Sequence, residues 1–160
     1  MILDGTECPV RRPIYNSVQQ QFYSGKKKKH TIKYEIAVQI DTGKIVWVAG
    51  GVSGNVHDLT LTRTCGILNH LLPGEHIMAD LGYIGELQIV TPIKMPRNEQ
   101  EIAWNSHISS IRILVENSLC RIKNFNCLTI PWRHERDLHP MVFTIICNLV
   151  NLEMIQNPIR

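Results

Sequence analysis

Residues 31–51 read TIKYEIAVQIDTGKIVWVAGG, and the reading of this stretch decides the fold. Ile32, Tyr34, Ile36, Val38 and Ile40 recur at every second position, the period of a half-buried strand. Asp41-Thr42-Gly43-Lys44 is a turn signal. Lys44–Gly51 is a second β-rich run, so the two runs should pair antiparallel as a hairpin.

Working outward, the pattern changes after Gly54. Residues 56–72, VHDLTLTRTCGILNHLL, carry Leu61, Cys65, Leu68 and Leu72 at helical spacing, and Pro73-Gly74 should end that helix. His76–Asp80 reads as a strand entering a glycine-rich turn, and Leu87–Lys94 as a further short strand with Pro92 and Pro96 breaking regular structure around it. Ile108, Ile111, Val115, Leu119 and Ile122 mark one face of a helix from about Asn105 to Asn124. Residues 129–136, TIPWRHER, form a loop, and Pro140–Met154 is a strongly apolar last helix. Towards the N-terminus, Ile2–Thr6 is a short strand end, Arg11–Pro13 is irregular, and SGKKKKH (24–30) is a basic turn. A hairpin followed by helix-linked strands implies a mixed α/β sheet with helices on its faces.

The 160 residues suit one domain with a real core, and the 44% apolar content is ordinary for a globular chain. No run of apolar residues approaches the roughly 18 needed to cross a membrane. The start, MILDGTECPV, has neither a basic n-region nor a long apolar stretch, so neither a signal peptide nor a membrane partner is expected, and the location expected is intracellular. Five cysteines with no C-x-x-C pair argue against a disulfide framework and a zinc module. The formal net charge is only +3, yet residues 1–35 hold seven basic and three acidic side chains. The basic excess is local, and an anionic partner fits there.

Three carboxylates carry the chemistry. In open α/β sheets ligands gather outside the carboxyl ends of strands. Asp4 follows Ile2-Leu3, Asp80 follows Ile77-Met78-Ala79, and glycine comes within two residues of each. On neighbouring parallel strands about 4.8 Å apart, two such carboxylates repel unless a cation intervenes. Glu116 shares a helix stripe with Ser109, Arg112 and Lys123, at the border of the buried face. Oxygen donors of this kind suit Mg²⁺ or Mn²⁺, and two such ions can serve a phosphate substrate. Each acid also has a plainer reading: Asp4 as a turn residue, Asp80 as a cap, Glu116 as the partner of Arg112.

The ordered segments DGTECPVRRP, YSGKKKKHTIK, SGNVHDLTL, ADLGYIGE, PIK and SSIRILVENSLCRIKNF resemble the DDE-type transposases of the Harbinger and related insertion-sequence group, from Asp4 to about Glu153. The resemblance implies an RNase H-like mixed five-stranded sheet flanked by helices, whose first and fourth strands are adjacent and parallel. It implies a DNA endonuclease and strand-transferase with a two-ion Mg²⁺ or Mn²⁺ site on Asp4, Asp80 and Glu116; 35 residues separate the last two. His57 and Asp58 match a pair near the active centre that positions substrate; Asp58 also reads as an N-cap of the following helix. Lys26, Lys27, Lys28 and Lys29 match a basic segment near DNA, and Arg112 and Lys123 are expected phosphate binders. Trp132 reads as core rather than a base-stacking platform.

Members of the group carry a helix-turn-helix region before the first aspartate, so residues 1–160 read as a single, N-terminally truncated endonuclease domain lacking it. Leu81 stands where lysine is common and Asn117 where arginine is common. The partners implied are DNA, a second copy of the chain and a separate DNA-targeting protein, in the nucleus of a eukaryotic source. A second class stays open: a catalytically inactive, transposase-derived DNA- or protein-binding module. A phosphoesterase acting on small nucleotides is the weaker third, since no phosphate-cradling G-x-x-x-x-G-K-[ST] loop occurs.

Overall fold

A computed structural model describes residues 1–159. The hairpin is its spine: β3 (Lys29–Val38) pairs antiparallel with β4 (Ile45–Ser53), joined through a turn in which Gly43 takes φ +71°. On its other side β3 pairs antiparallel with β1 (Ile2–Pro9) over eight registered positions, Ile2 opposite Val38 through Pro9 opposite Thr31. β1 in turn pairs parallel with β5 (Ile77–Met78), which pairs parallel with β6 (Ile89–Val90). A two-residue strand β2 (Tyr23–Ser24) backs onto the start of β3, making six strands where five were expected. Without β2 the order is β4-β3-β1-β5-β6, and the first and fourth strands are the parallel neighbours.

Four α-helices cover the sheet: α1 (Asn16–Phe22), α2 (Asp58–Cys65), α3 (Glu99–Lys123) and α4 (His139–Gln156). α3 and α4 lie on the face that carries Ile2, Cys8, Ile32, Tyr34, Ile36 and Val38. There Val115, Ile122, Phe143, Cys147 and Val150 complete the larger core. The Tyr34 ring stacks on Phe143 at 3.9 Å between centroids, and its hydroxyl lies 2.7 Å from His139 Nδ1. The other face carries Leu3 and Ala37, packed with Ile67, Ile77, Ala79 and Tyr83 in a second, smaller core.

Several expectations change. β3 is buried on both faces rather than half-buried, because α2 and the smaller core cover its second side. Ile40 lies beyond the strand and is 41% exposed. β1 is a full strand, not a short end, and Asp4 sits inside it, so the turn reading of Asp4 falls. The expected helix over 56–72 breaks at Gly66, whose φ of +86° ends α2 in the left-handed conformation, and a 3-10 turn (Ile67–His70) follows. α3 starts six residues early, because the Asn98 side chain caps it by accepting from the Glu101 N–H. α1 had no periodic signal and buries no residue. The stretch Arg136–Gln156 is, by length and composition alone, long and apolar enough to cross a membrane, contrary to the sequence reading. Its polar residues are mostly uncharged, and its buried face packs on β4 and α3. All five cysteines are free thiols.

Glu35 is the unusual core residue. It lies on the α2 side of β3 with no exposed surface, accepting hydrogen bonds from Thr62 Oγ1 (2.8 Å) and the Cys65 thiol. Burial, and secondarily the charge of Asp58, push its carboxyl up to about 7 against hydrogen bonds that pull it down. His139 is displaced in the opposite sense, down to about 4, by burial and then by the charge of Lys123. Between pH 4.5 and 7 the unfolded chain has released the Glu35 proton while the folded chain retains it. Glu35 therefore subtracts stability as pH rises through that window, by roughly 3 kcal/mol at about 1.4 kcal/mol per unit. The His139 contribution runs the other way, gained between about pH 4 and 6.5. Glu35→Gln is expected to gain stability relative to wild type progressively across pH 4.5–7, measured by urea unfolding at several pH values. A difference between the two proteins that does not vary with pH would show that Glu35 is ionised in the fold.

Candidate functional site

The β1–β5 pairing is short, with Ile2 opposite Met78 as its registered pair. Asp4 and Asp80 each stand two residues beyond that pair, on corresponding positions of adjacent chains. Side chains two apart on a strand point to the same face, so Asp4 projects with Ile2 and Cys8 towards α3. Past Leu3, β1 keeps β3 on one side and leaves its other edge unpaired until the Trp132 backbone closes it at Pro9–Arg11. The candidate site is a recess of about 110 Å³ along this free edge.

Local hydrogen bonds aim both aspartates. The Gly5 N–H donates to Asp4 Oδ1 at 2.7 Å, and the Gly82 N–H donates to Asp80 Oδ1 at 2.8 Å. Asp80 thus caps the 3-10 turn Leu81–Tyr83. A Cβ on residue 82 would lie 2.9 Å from Asp80 Oδ1, so glycine there is what lets the carboxylate fold back. Glu116, on α3, is 55% exposed and reaches the group through Arg112. One guanidinium nitrogen of Arg112 is 3.5 Å from Asp4 Oδ2 and 3.6 Å from Glu116 Oε1. The glutamate is therefore on the same side of the sheet as Asp4, with an arginine between them, and its expected i−4 pairing is present. Burial raises the Asp4 carboxyl above its ordinary range, and the charges of Asp80 and Glu116 add to the rise. The Gly5 N–H and Arg112 oppose it.

Asp58 joins this recess from α2. It does not cap the helix, since His57 occupies the N-cap position and Asp58 is the first helical residue. Its carboxylate instead pairs with Lys33 Nζ at 2.9 Å. A Cβ on Gly5 would meet Asp58 Oδ1 at 3.3 Å, which places this fourth acid against β1. Lys33, 7% exposed, also donates to the Val56 carbonyl. The sequence reading missed Lys33; its signal was a lysine two residues from Glu35 inside an otherwise apolar strand. His57 is exposed and makes no side-chain cap.

The basic residues divide. Lys26 and Lys27 line the recess, whereas Lys28 and Lys29 face a separate groove. Lys123 lines the recess, but its ammonium donates to the Glu7 carbonyl at 2.7 Å and lies 3.3 Å from Cys8 Sγ. It satisfies a backbone acceptor on the unpaired edge. Arg112 is committed to two carboxylates. Trp132 is partly buried, packs against the larger core and donates its indole N–H to the Glu135 carbonyl.

Chemically, Asp4 and Asp80 offer hard oxygen donors of the kind that suits a small divalent cation. Among the described residues, no three His, Cys, Asp or Glu side chains stand close enough to hold one ion together. The acids are balanced instead by Arg112 and Lys33. Arg112→Gln is expected to raise the Asp4 carboxyl further, because it removes an opposing positive charge. Carboxyl ¹³C shifts followed by NMR against pH would show the midpoint moving up; an unmoved midpoint would mean that the guanidinium does not neutralise Asp4.

The family profile of the DDE superfamily endonucleases matches residues 3–151. The chain is similar to a probable transposase for insertion sequence element IS702 of Microchaete diplosiphon, 31% identical over 163 aligned positions. That alignment covers 96% of this chain and 57% of the relative, so the chain spans little more than half the relative's length. No solved structure gives a significant match.

Proposed function

The chain belongs to the DDE superfamily endonucleases, and on that premise we propose that it is a metal-dependent DNA endonuclease and strand-transferase domain of a transposase. The observation that carries the reading is the register of β1 and β5, which sets Asp4, inside β1, and Asp80, two residues past the end of β5, at corresponding positions. The finer placing, in the Harbinger and related insertion-sequence group, rests on the ordered segments from DGT to VEN. The likeness to an insertion-sequence transposase supports it. The RNase H-like reading of the sheet rests on its strand order and its parallel β1–β5 pair.

Asp4 and Asp80 would hold Mg²⁺ or Mn²⁺, with Glu116 as the third carboxylate. Such ions, acting as a pair, supply charge stabilisation for the attacking and leaving oxygens of a phosphodiester. The chain's own residues do the rest. The Gly5 and Gly82 N–H groups keep the two aspartates aimed into the recess. Arg112 neutralises Asp4 and Glu116 while they are close and is placed to pass to a phosphate oxygen. Lys26 and Lys27 at the mouth attract the backbone of DNA. Asp58 holds Lys33 in place beside the substrate, the positioning role proposed for the His57-Asp58 segment. Water attacks the phosphodiester in cleavage, and the freed 3′-hydroxyl attacks target DNA in joining. No covalent protein nucleophile is needed. DNA is the partner of this reading, with a second copy and a DNA-targeting protein as further partners, and an intracellular location, nuclear in a eukaryote.

A second reading has its own observation. Arg112 stands between Asp4 and Glu116, an arrangement that also suits a non-catalytic, transposase-derived DNA- or protein-binding module. A nicking assay on supercoiled DNA with Mg²⁺ or Mn²⁺ separates the two. Asp80→Asn is expected to abolish nicking while leaving the thermal melt and DNA binding unchanged. A variant that nicks at the wild-type rate would refute the assignment. Mn²⁺ titration that detects no binding, with salt-sensitive DNA binding retained, would favour the binding module.

A further inference from the structure

A second concavity lies at the far end of the free edge of β1. It is a groove of about 680 Å³ whose lining includes Arg11, Arg12, Lys28, Lys29, His30 and Arg133, with no acidic side chain among its lining residues. Its walls are built rather than loose. The Val10 N–H donates to the His30 carbonyl, the Arg11 N–H to the Trp132 carbonyl, and the Trp132 N–H to the Pro9 carbonyl, at 2.9, 2.9 and 3.0 Å. Three separate segments are thereby clamped at one point, and each brings a cation. Lys28 takes φ +55°, a left-handed bend that lies where the lysine run divides between recess and groove. Among the described residues, Arg11, Lys28, Lys29 and Arg133 form no ion pair, and Arg12 makes only a hydrogen bond to Gln19. Five exposed cations with no internal counter-charge give the groove a positive potential that suits an anion.

The groove and the acidic recess share one strand. From Asp4 to Arg11 is seven residues of extended chain, roughly 23 Å at about 3.3 Å per residue. Along a DNA strand, at about 3.4 Å per nucleotide, that is about seven nucleotides. Lys26 and Lys27 line the recess and Lys28 and Lys29 the groove, so the lysine run bridges the two concavities, and the seven-residue interval is that between Asp4 and the Arg11 end of the groove.

We propose that Arg11, Arg12 and Arg133, with Lys28 and Lys29, form a clamp for the phosphate backbone of DNA about seven nucleotides from the bond placed at Asp4 and Asp80. This rests on the endonuclease reading and adds to it a second contact point with a defined offset. Its residues lie outside the acidic site, so binding can be tested without catalysis. Duplexes shorter than about seven base pairs reach one end only, and longer ones reach both.

The test is fluorescence anisotropy of fluorescein-labelled duplexes of 6, 12 and 20 base pairs, titrated with the whole chain without divalent metal at several salt concentrations. Wild type is expected to bind the 12-mer at least tenfold more tightly than the 6-mer. Arg11→Gln/Arg12→Gln/Arg133→Gln is expected to lose that step and to lower the slope of log affinity against log salt by about 2 to 3, at about 0.9 per phosphate contact. The single variant Arg133→Gln, expected to lose about one such contact, serves if the triple variant melts early. Unchanged slopes and length steps in whichever variant folds as wild type would overturn the clamp. So would equal displacement of the DNA by polyglutamate at matched charge, which would mark a site for acidic peptide. Nicking by Asp80→Asn at the wild-type rate, with the length step intact, would instead overturn the catalytic reading and leave the clamp standing.

Discussion

The arrangement depends on one short junction, the parallel contact of β1 with β5. Ile2 opposite Met78 is its registered pair, and the Met78 N–H donates to the Met1 carbonyl at 2.9 Å. Everything at the recess is measured from it. Asp4 and Asp80 correspond because both chains leave the pair in the same direction and at the same count. A slip of one residue would turn Asp4 to the opposite face and bring Gly5 in its place, since the side-chain period of a strand is two. Register is held from the other side by the eight-residue ladder with β3, far longer than the contact it protects. The same junction creates the unpaired edge. Because β5 ends at Met78, the backbone of β1 from Asp4 to Pro9 must find partners elsewhere. Lys123 serves the Glu7 carbonyl, and Trp132 serves Pro9 and Arg11. What remains open is the recess.

Electrostatics make that recess expensive in isolation. Asp4, Asp58, Asp80 and Glu116 gather around one strand, and the rise of the Asp4 carboxyl records the mutual repulsion on top of burial. The chain offsets this with cations from three directions: Lys33 from β3, Arg112 from α3, and the lysines of the turn before β3. Lys33 and Glu35 occupy the same face of β3, two residues apart, yet have opposite fates. Lys33 is paired and hydrogen-bonded; Glu35 has hydroxyl and thiol donors but no cation, and its carboxyl holds its proton to about pH 7. A carboxyl held by burial beneath an acidic site carries less negative charge there at neutral pH than an ionised one would.

The parts readable in the sequence were those with a long, regular period. The β3–β4 hairpin declared itself by alternation and by Asp41–Lys44. α3 declared itself by the stripe through Ile108, Val115 and Ile122, all fully buried. α4 was visible as an apolar block. The failures share a cause, which is tertiary override of a weak local signal. β1, read from ILDGTECP, has no alternation to show and is a strand because β3 lies beside it. The helix after Asp58 kept its apolar spacing past Gly66, but the left-handed conformation there interrupts the axis. Asp58 satisfied the pattern of a cap and yet pairs with Lys33, 25 residues earlier, a contact no local pattern contains. Of the site residues, Asp80 was placeable from its strand end and glycine, whereas the strand end assigned to Asp4 is absent, since β1 runs on to Pro9. Glu116 was placeable to a helix face and no further.

The two aspartates and the glutamate differ in how they are held, and this bears on how such a site works. Asp4 and Asp80 are each held by a backbone N–H, that of Gly5 within β1 and that of Gly82 in the 3-10 turn after β5. Glu116 stands half in solvent on a helix, held to the group by one shared arginine. Exposed ion pairs of this kind contribute little, about 0–1 kcal/mol, so a competing cation or phosphate can break it at small cost. In the endonuclease reading proposed above, Asp4 and Asp80 would fix where a cation sits, and Glu116 with Arg112 would be the pair that adjusts to it. Arg112 joins the two kinds of acid, with one guanidinium nitrogen 3.5 Å from Asp4 Oδ2 and 3.6 Å from Glu116 Oε1. Without an ion, the charge of Asp4 and Glu116 is met by Arg112 and that of Asp58 by Lys33.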